Sequence, residues 1–268
     1  MQSSSKIRMF WRLYRNEMHK LLMEIIIFAI LAVIINLFFY FKISGPAARD
    51  NGLILSLLDS NLLLFAFLIP FLASFRILNQ EWSHHTIYLL LSLPASGCAV
   101  LGAKLAALFS QLLIGILTVG ICGGILAIAK IPPNQQQLLY SALSDPRMSW
   151  AWLFFLSCIT GMLALLCISF FSQVVGRLCR ILDRLVTGFT FLATLYLASR
   201  LHHLAGMLLQ PDSSFRFLTA NKEMWAIKLH TMAPVPTSYM VISLLFDLLI
   251  AAAIFVAAAV IYDQRLEL

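Results

Sequence analysis

The chain has 268 residues, of which 61% are hydrophobic and 12% charged, with a mean hydropathy of +0.89. A soluble domain is roughly 45–50% apolar and about 25% charged, and a chain of this size has too little interior to hide so much apolar surface from water. A soluble enzyme, a disordered chain and a secreted disulfide scaffold are thereby excluded, and the net charge of +7, carried by basic residues at the ends of apolar runs, suits anionic headgroups rather than nucleic acid.

Residues 6–23 (KIRMFWRLYRNEMHKLLM) predict an amphipathic helix lying in the membrane interface. Ile7, Phe10, Trp11, Tyr14, Met18, Leu21 and Leu22 recur at three- and four-residue steps, with Arg8, Arg12, Arg15 and Lys20 mostly off that stripe. Six apolar runs then meet the about 20 residues that a bilayer core demands: 24–43, 53–75, 100–129, 150–171, 185–205 and 238–262. None alternates with the period of a barrel strand, so helices are strongly preferred. The expected fold is an all-α polytopic membrane protein: one transmembrane domain over 1–268, with six transmembrane helices preceded by the interfacial helix.

The connections differ in character. Residues 44–52 are short and turn-rich, 76–99 partly polar, 130–149 polar with prolines at both ends, and 172–184 short and basic. The longest, 206–237, is semi-apolar. An even number of spans puts both termini on one side, and basic density chooses that side: Lys6, Arg8, Arg12, Arg15 and Lys20 at the start, and Arg177, Arg180 and Arg184 in 176–184, place both termini in the cytoplasm. The first apolar run lacks a small-residue cleavage motif after it, so no cleavable signal peptide is expected. Cys98, Cys122, Cys158, Cys167 and Cys179 lie in or near apolar stretches without Cys-x-x-Cys spacing and read as small core residues.

The most informative stretch is 81–104, EWSHHTIYLLLSLPASGCAVLGAK. It reads as a short amphipathic helix ended by Pro94, leading into the third span on the cytoplasmic side. A polar-apolar hairpin without a catalytic set suits docking to another protein. Glu81, Thr86, Leu90, Leu91, Leu93, Pro94 and Ser96, followed by Gly102 and Lys104 at the head of the next helix, resemble the permease subunits of ABC-2-type transporters. The order of parts is similar too: interfacial helix, six spans, and a long outer connection with Pro234 and Pro236 before the last span. This chain departs from the pattern at His85, where the family often has Gly, and at Gly97, where it often has Arg.

The resemblance implies that residues 81–94 are a coupling helix seated in a groove of a separate ATP-binding cassette ATPase, with Glu81, Thr86, Leu90, Leu91 and Pro94 as partner-binding positions. Two permeases, as a homodimer or heterodimer, and two ATPases would form the transporter in a bacterial plasma membrane. ATP and Mg would be bound by the partner ATPase, and this chain would carry no cofactor. The residues support a missing motor. No Gly-x-x-x-x-Gly-Lys-Ser/Thr occurs, and the nearest stretch, Gly97 to Lys104, has one residue too many and no hydroxyl after the Lys.

Other chemistries lack their signatures. There is no His-Glu-x-x-His, and the adjacent pairs His84-His85 and His202-His203 point about 100° apart on a helix, so no metal site is expected. No Gly-x-Ser-x-Gly marks an acyl-transfer serine. Intramembrane acids are costly and default to function, which makes Asp59 and Asp247 possible pathway residues, with Arg200 a possible partner of either. Phe217 and Trp225, in a connection too apolar for a free loop and too charged to span, make a possible outer gate. The expected function is export of an amphipathic substrate, a peptide antibiotic or lipid. The alternatives are a stand-alone proton-coupled secondary transporter and a membrane-embedded enzyme.

Overall fold

The computed structural model describes residues 2–42, 51–83, 96–130, 148–179, 182–209 and 237–266. They form six helices: α1 (Gln2–Lys42), α2 (Asn51–Ser83), α3 (Gly97–Lys130), α4 (Met148–Leu178), α5 (Asp183–Leu209) and α6 (Thr237–Leu266). Among the described residues there is no strand. Five of the helices are long and apolar enough to cross a membrane, over Ile7–Phe38, Ser60–Gln80, Gly97–Ile125, Trp152–Leu178 and Met240–Gln264. The chain is an all-α, multi-pass membrane protein.

Two expectations are corrected. The fifth run, 185–205, does not qualify as a span although α5 is 27 residues long. Arg200, His202 and His203, together with Thr187, Thr190 and Thr194, dilute its leucines. The separate interfacial helix merges with the first span, because α1 runs unbroken for 41 residues with neither Gly nor Pro to stop it. At 1.5 Å per residue α1 is about 60 Å long, roughly twice the thickness of a hydrocarbon core. Its buried stripe is Glu17, Leu21, Phe28, Ala32 and Asn36, at helical spacing through both halves. The expected stripe is split: Ile7, Trp11 and Leu22 are exposed, while Leu21 is buried.

α3 and α4 are the hubs. α3 packs on α1 and α2, and α4 on α6, α5 and α2. Lipid tails are as apolar as leucine, so helices in a bilayer are held by close packing and polar pairs rather than by escape from water. The composition of the interfaces follows that rule. Ala66, Ala73, Ala103, Ala107, Ala258 and Ala259 are buried between helices, alongside Leu101, Leu108, Leu112, Leu166 and Phe170. Pro70 sits inside α2 and cannot donate to the Ala66 carbonyl, a loss that neighbouring helices make tolerable in a membrane.

Glycine matters most at two close approaches. Gly97 opens α3 with its N–H donating to Asp263 Oδ1 near the end of α6, and a Cβ there would lie 2.6 Å from the Tyr262 ring. At Gly176 a Cβ would overlap Thr187 Oγ1 and stand 2.9 Å from the Asp183 carbonyl, so only glycine lets the first turn of α5 press on α4. The cysteines are free, and the core reading holds for Cys167 alone: Cys98, Cys158 and Cys179 are exposed and Cys122 is half-buried.

Candidate functional site: three polar clusters between helices

The first cluster joins α1, α2 and α3. Glu17 Oε1 accepts from Lys20 Nζ at 2.9 Å and from Lys104 Nζ at 3.1 Å, and the Glu17 and Lys104 side chains are only 6% and 3% exposed. One turn away Tyr14 Oη and Ser110 Oγ share a hydrogen bond of 2.9 Å. Two turns further along α1, Glu24 pairs with Arg76 of α2 and accepts from Gln111 Nε2 at 3.4 Å. Glu17 Oε2 and Gln111 Oε1 are buried without a partner. A buried ion pair of this kind adds little net stability, but removing one partner leaves the other charge buried and uncompensated.

The second cluster lies where α2 and α4 end and α5 begins. Ser74 and Ser169 hydroxyls meet at 2.6 Å, and Gln173 Nε2 donates to the Ser74 and Ser169 carbonyls at 3.2 and 3.1 Å. Arg177 donates to Asp183 Oδ2 at 2.9 Å and to Asn79 Oδ1 at 2.5 Å, which ties the three helix ends together. Beside them lies an open polar cleft of about 230 Å³.

The third cluster joins α5 and α6. His202 Nδ1 lies 2.9 Å from Asp247 Oδ1, and His202 Nε2 lies 3.5 Å from Ser243 Oγ. The order carboxylate, imidazole, hydroxyl is that of a hydrolase relay. Ser243, however, sits within α6, where the neighbouring N–H groups bond along the helix, so no backbone N–H is left to hold an oxyanion. The chain of three groups suits proton relay better than acyl transfer.

Asp247 is thus half-buried, with His202 rather than Arg200 as its partner, while Arg200 Nε donates to Tyr196 Oη at 2.9 Å on its own helix. His202 faces α6 and His203 is exposed, as their angular offset requires. Asp59 lies in α2, and Glu81 lies in the last turn of α2 rather than opening a new helix; both side chains are outside the described residues. Thr86, Leu90, Leu91, Pro94, Phe217 and Trp225 also lie outside them. Among the described residues no group of three His, Cys, Asp or Glu is placed to hold a metal ion.

Sequence reasoning missed the Glu17–Lys104 pair. A signal existed: Lys104 stands in a run of Ala, Leu and Gly with no polar neighbour, and a lysine so placed needs an acid from another helix. No protein-family model matches the chain, and no curated protein matches it.

Proposed function

We propose that the chain is the permease subunit of a bacterial ATP-binding cassette exporter of the ABC-2 type. It moves an amphipathic substrate, a peptide antibiotic or lipid-like molecule, and a separate ATPase subunit binds ATP and Mg and supplies the energy. A second permease completes the membrane part, and both termini face the cytoplasm: α5, too polar to count among the five apolar spans, still runs from the Asn79–Arg177 end of the bundle to Asp247, and α6 returns to Gly97 at the start of α3. The observation that carries this reading is the residue pattern from Glu81 to Lys104, between α2 and α3. Three features of the fold support it mechanically. α2 stays helical through Glu81 to Ser83, so a push on the connection after it reaches the bundle along a continuous helix. α3 opens at Gly97, pinned to the end of α6 by Asp263. Lys104 then locks the first turns of α3 to α1 through Glu17. Motion at the connection is thereby delivered to four helices.

The test is co-expression with the candidate ATPase and purification through a tag on this chain. The reading requires the ATPase to co-purify and its turnover to respond to the permease. A chain that purifies alone from membranes rich in that ATPase contradicts it.

A stand-alone proton-coupled transporter is the second reading, favoured by the half-buried His202–Asp247 pair. It predicts transport driven by a pH gradient in vesicles without ATP, abolished in Asp247→Asn.

A further inference from the structure

The cleft of about 230 Å³ at the meeting of α2, α4 and α5 has a composition that the transport reading does not use. Phe75, Leu78, Asn79, Gln173, Arg177, Asp183, Arg184 and Thr187 line it, and its charged side chains sum to one positive charge. The Asp183 carboxylate is already compensated: one oxygen takes Arg177 at 2.9 Å and the other takes the Arg184 amide at 2.7 Å. Arg184 is exposed and has no acidic partner among the described residues. The surplus charge at the cleft is therefore the Arg184 guanidinium, a planar donor fork that matches phosphate oxygens.

Two further features narrow the ligand. Gln173 commits its Nε2 to Ser74 and Ser169, so its Oε1 is the atom it has to offer, an acceptor suited to a hydroxyl on the ligand. The rim is apolar and turned outward: Leu178, Leu182 and Leu185 are exposed beside the cleft, and Phe75 and Leu78 form part of its wall. A free anion has no use for that rim. A lipid does, because its phosphate can sit among the polar groups while its acyl chains run along α5 past Leu185 and Phe189.

We propose that this cleft binds an anionic phospholipid with a hydroxylated headgroup, with Arg184 on the phosphate. Gly176 makes the site possible by letting α5 close on α4, and Arg177, through Asp183 and Asn79, holds the three walls in place.

The probe is phosphatidylglycerol, titrated onto the detergent-purified chain and read by native mass spectrometry. Phosphatidylcholine with the same acyl chains and glycerol phosphate serve as the other arms. The expected result is a preference for phosphatidylglycerol over phosphatidylcholine that glycerol phosphate in large excess does not displace. In Arg184→Gln that preference drops roughly fivefold, the loss of one cation near a lipid surface, and Arg184→Lys retains most of it. Among the described residues the Arg184 side chain has no partner to lose, so Arg184→Gln keeps the thermal midpoint of the parent, which that measurement checks. Equal binding of the two lipids, or an unchanged preference in Arg184→Gln, overturns the site. Displacement by glycerol phosphate in that excess makes it a free-anion site and overturns the lipid.

Discussion

α4 and α5 follow one another in the chain, and both read as apolar runs, yet they occupy opposite environments. α4 buries Leu166, Cys167, Ile168, Ser169, Phe170, Ser172, Gln173 and Val174 against α2, α3 and α6. Among the described residues of α5 not one is buried; Leu185 and Phe189 are 70% and 76% exposed. What separates the helices is the kind of residue that recurs, more than the number of leucines. α4 carries Thr160, Ser169, Ser172, Gln173 and Gly176 on its packed face, small or hydrogen-bonding groups that let backbones approach. α5 packs along α4, with Asp183 and Thr187 at its start, and beyond α4 it touches the bundle at a few points: Phe191 against Phe71 and Phe75, and His202 on Asp247. Hydropathy tells which residues lipid tolerates. Packing is set by the small and polar ones among them.

That contrast can be broken in several ways. The largest effect is expected inside the packed set, at the Glu17–Lys104 pair. Glu17→Leu leaves an ammonium in a nearly closed site, a loss of about 3–5 kcal/mol. The double variant Glu17→Leu/Lys104→Met should recover most of it, as read by thermal unfolding in detergent. A double variant no more stable than the single one refutes the pairing. Next comes Leu166→Ala on α4, whose side chain is wholly buried. It should cost about 2–5 kcal/mol through the cavity it leaves. Gly176→Ala should cost about 1–3 kcal/mol by forcing α5 off α4, with Arg177 to Asp183 cross-linking by engineered cysteines as the specific readout. Phe189→Ala, on the outward face of α5, should stay within about 0.5 kcal/mol of the parent. A Phe189→Ala loss as large as that of Leu166→Ala would mean that α5 is core and the contrast is false.

The membrane class and the positions of the helices were legible because about 20 apolar residues in a row leave few other solutions. The break expected at residue 24 was not real: Glu24 looked like the edge of a span, but Arg76 and Gln111 compensate its carboxylate and α1 continues through it. The fifth run has the length and the leucines of a span, but Arg200, His202 and His203 leave it less apolar than the other five. In the candidate sites, Asp247 was visible as a lone acid in an apolar helix. Its partner was not, because two basic residues, Arg200 and His202, lie two residues apart on α5, and only the rotation of the helix selects His202. The α1–α3 ladder was illegible for a similar reason. It needs residues 87 positions apart, Glu17 with Lys104 and Glu24 with Gln111, and pairings at that range follow from packing rather than from local pattern.

The central claim is that this chain transmits work done by another subunit. The direct measurement is ATP hydrolysis by the purified chain alone, by the chain with its co-purified ATPase, and by the same pair carrying Glu81→Ala. The account predicts no hydrolysis from the chain alone, substrate-responsive hydrolysis from the pair, and weakened stimulation in Glu81→Ala while the protein still inserts in the membrane. Robust hydrolysis by the chain alone, free of any other subunit, or full stimulation in Glu81→Ala, would contradict it.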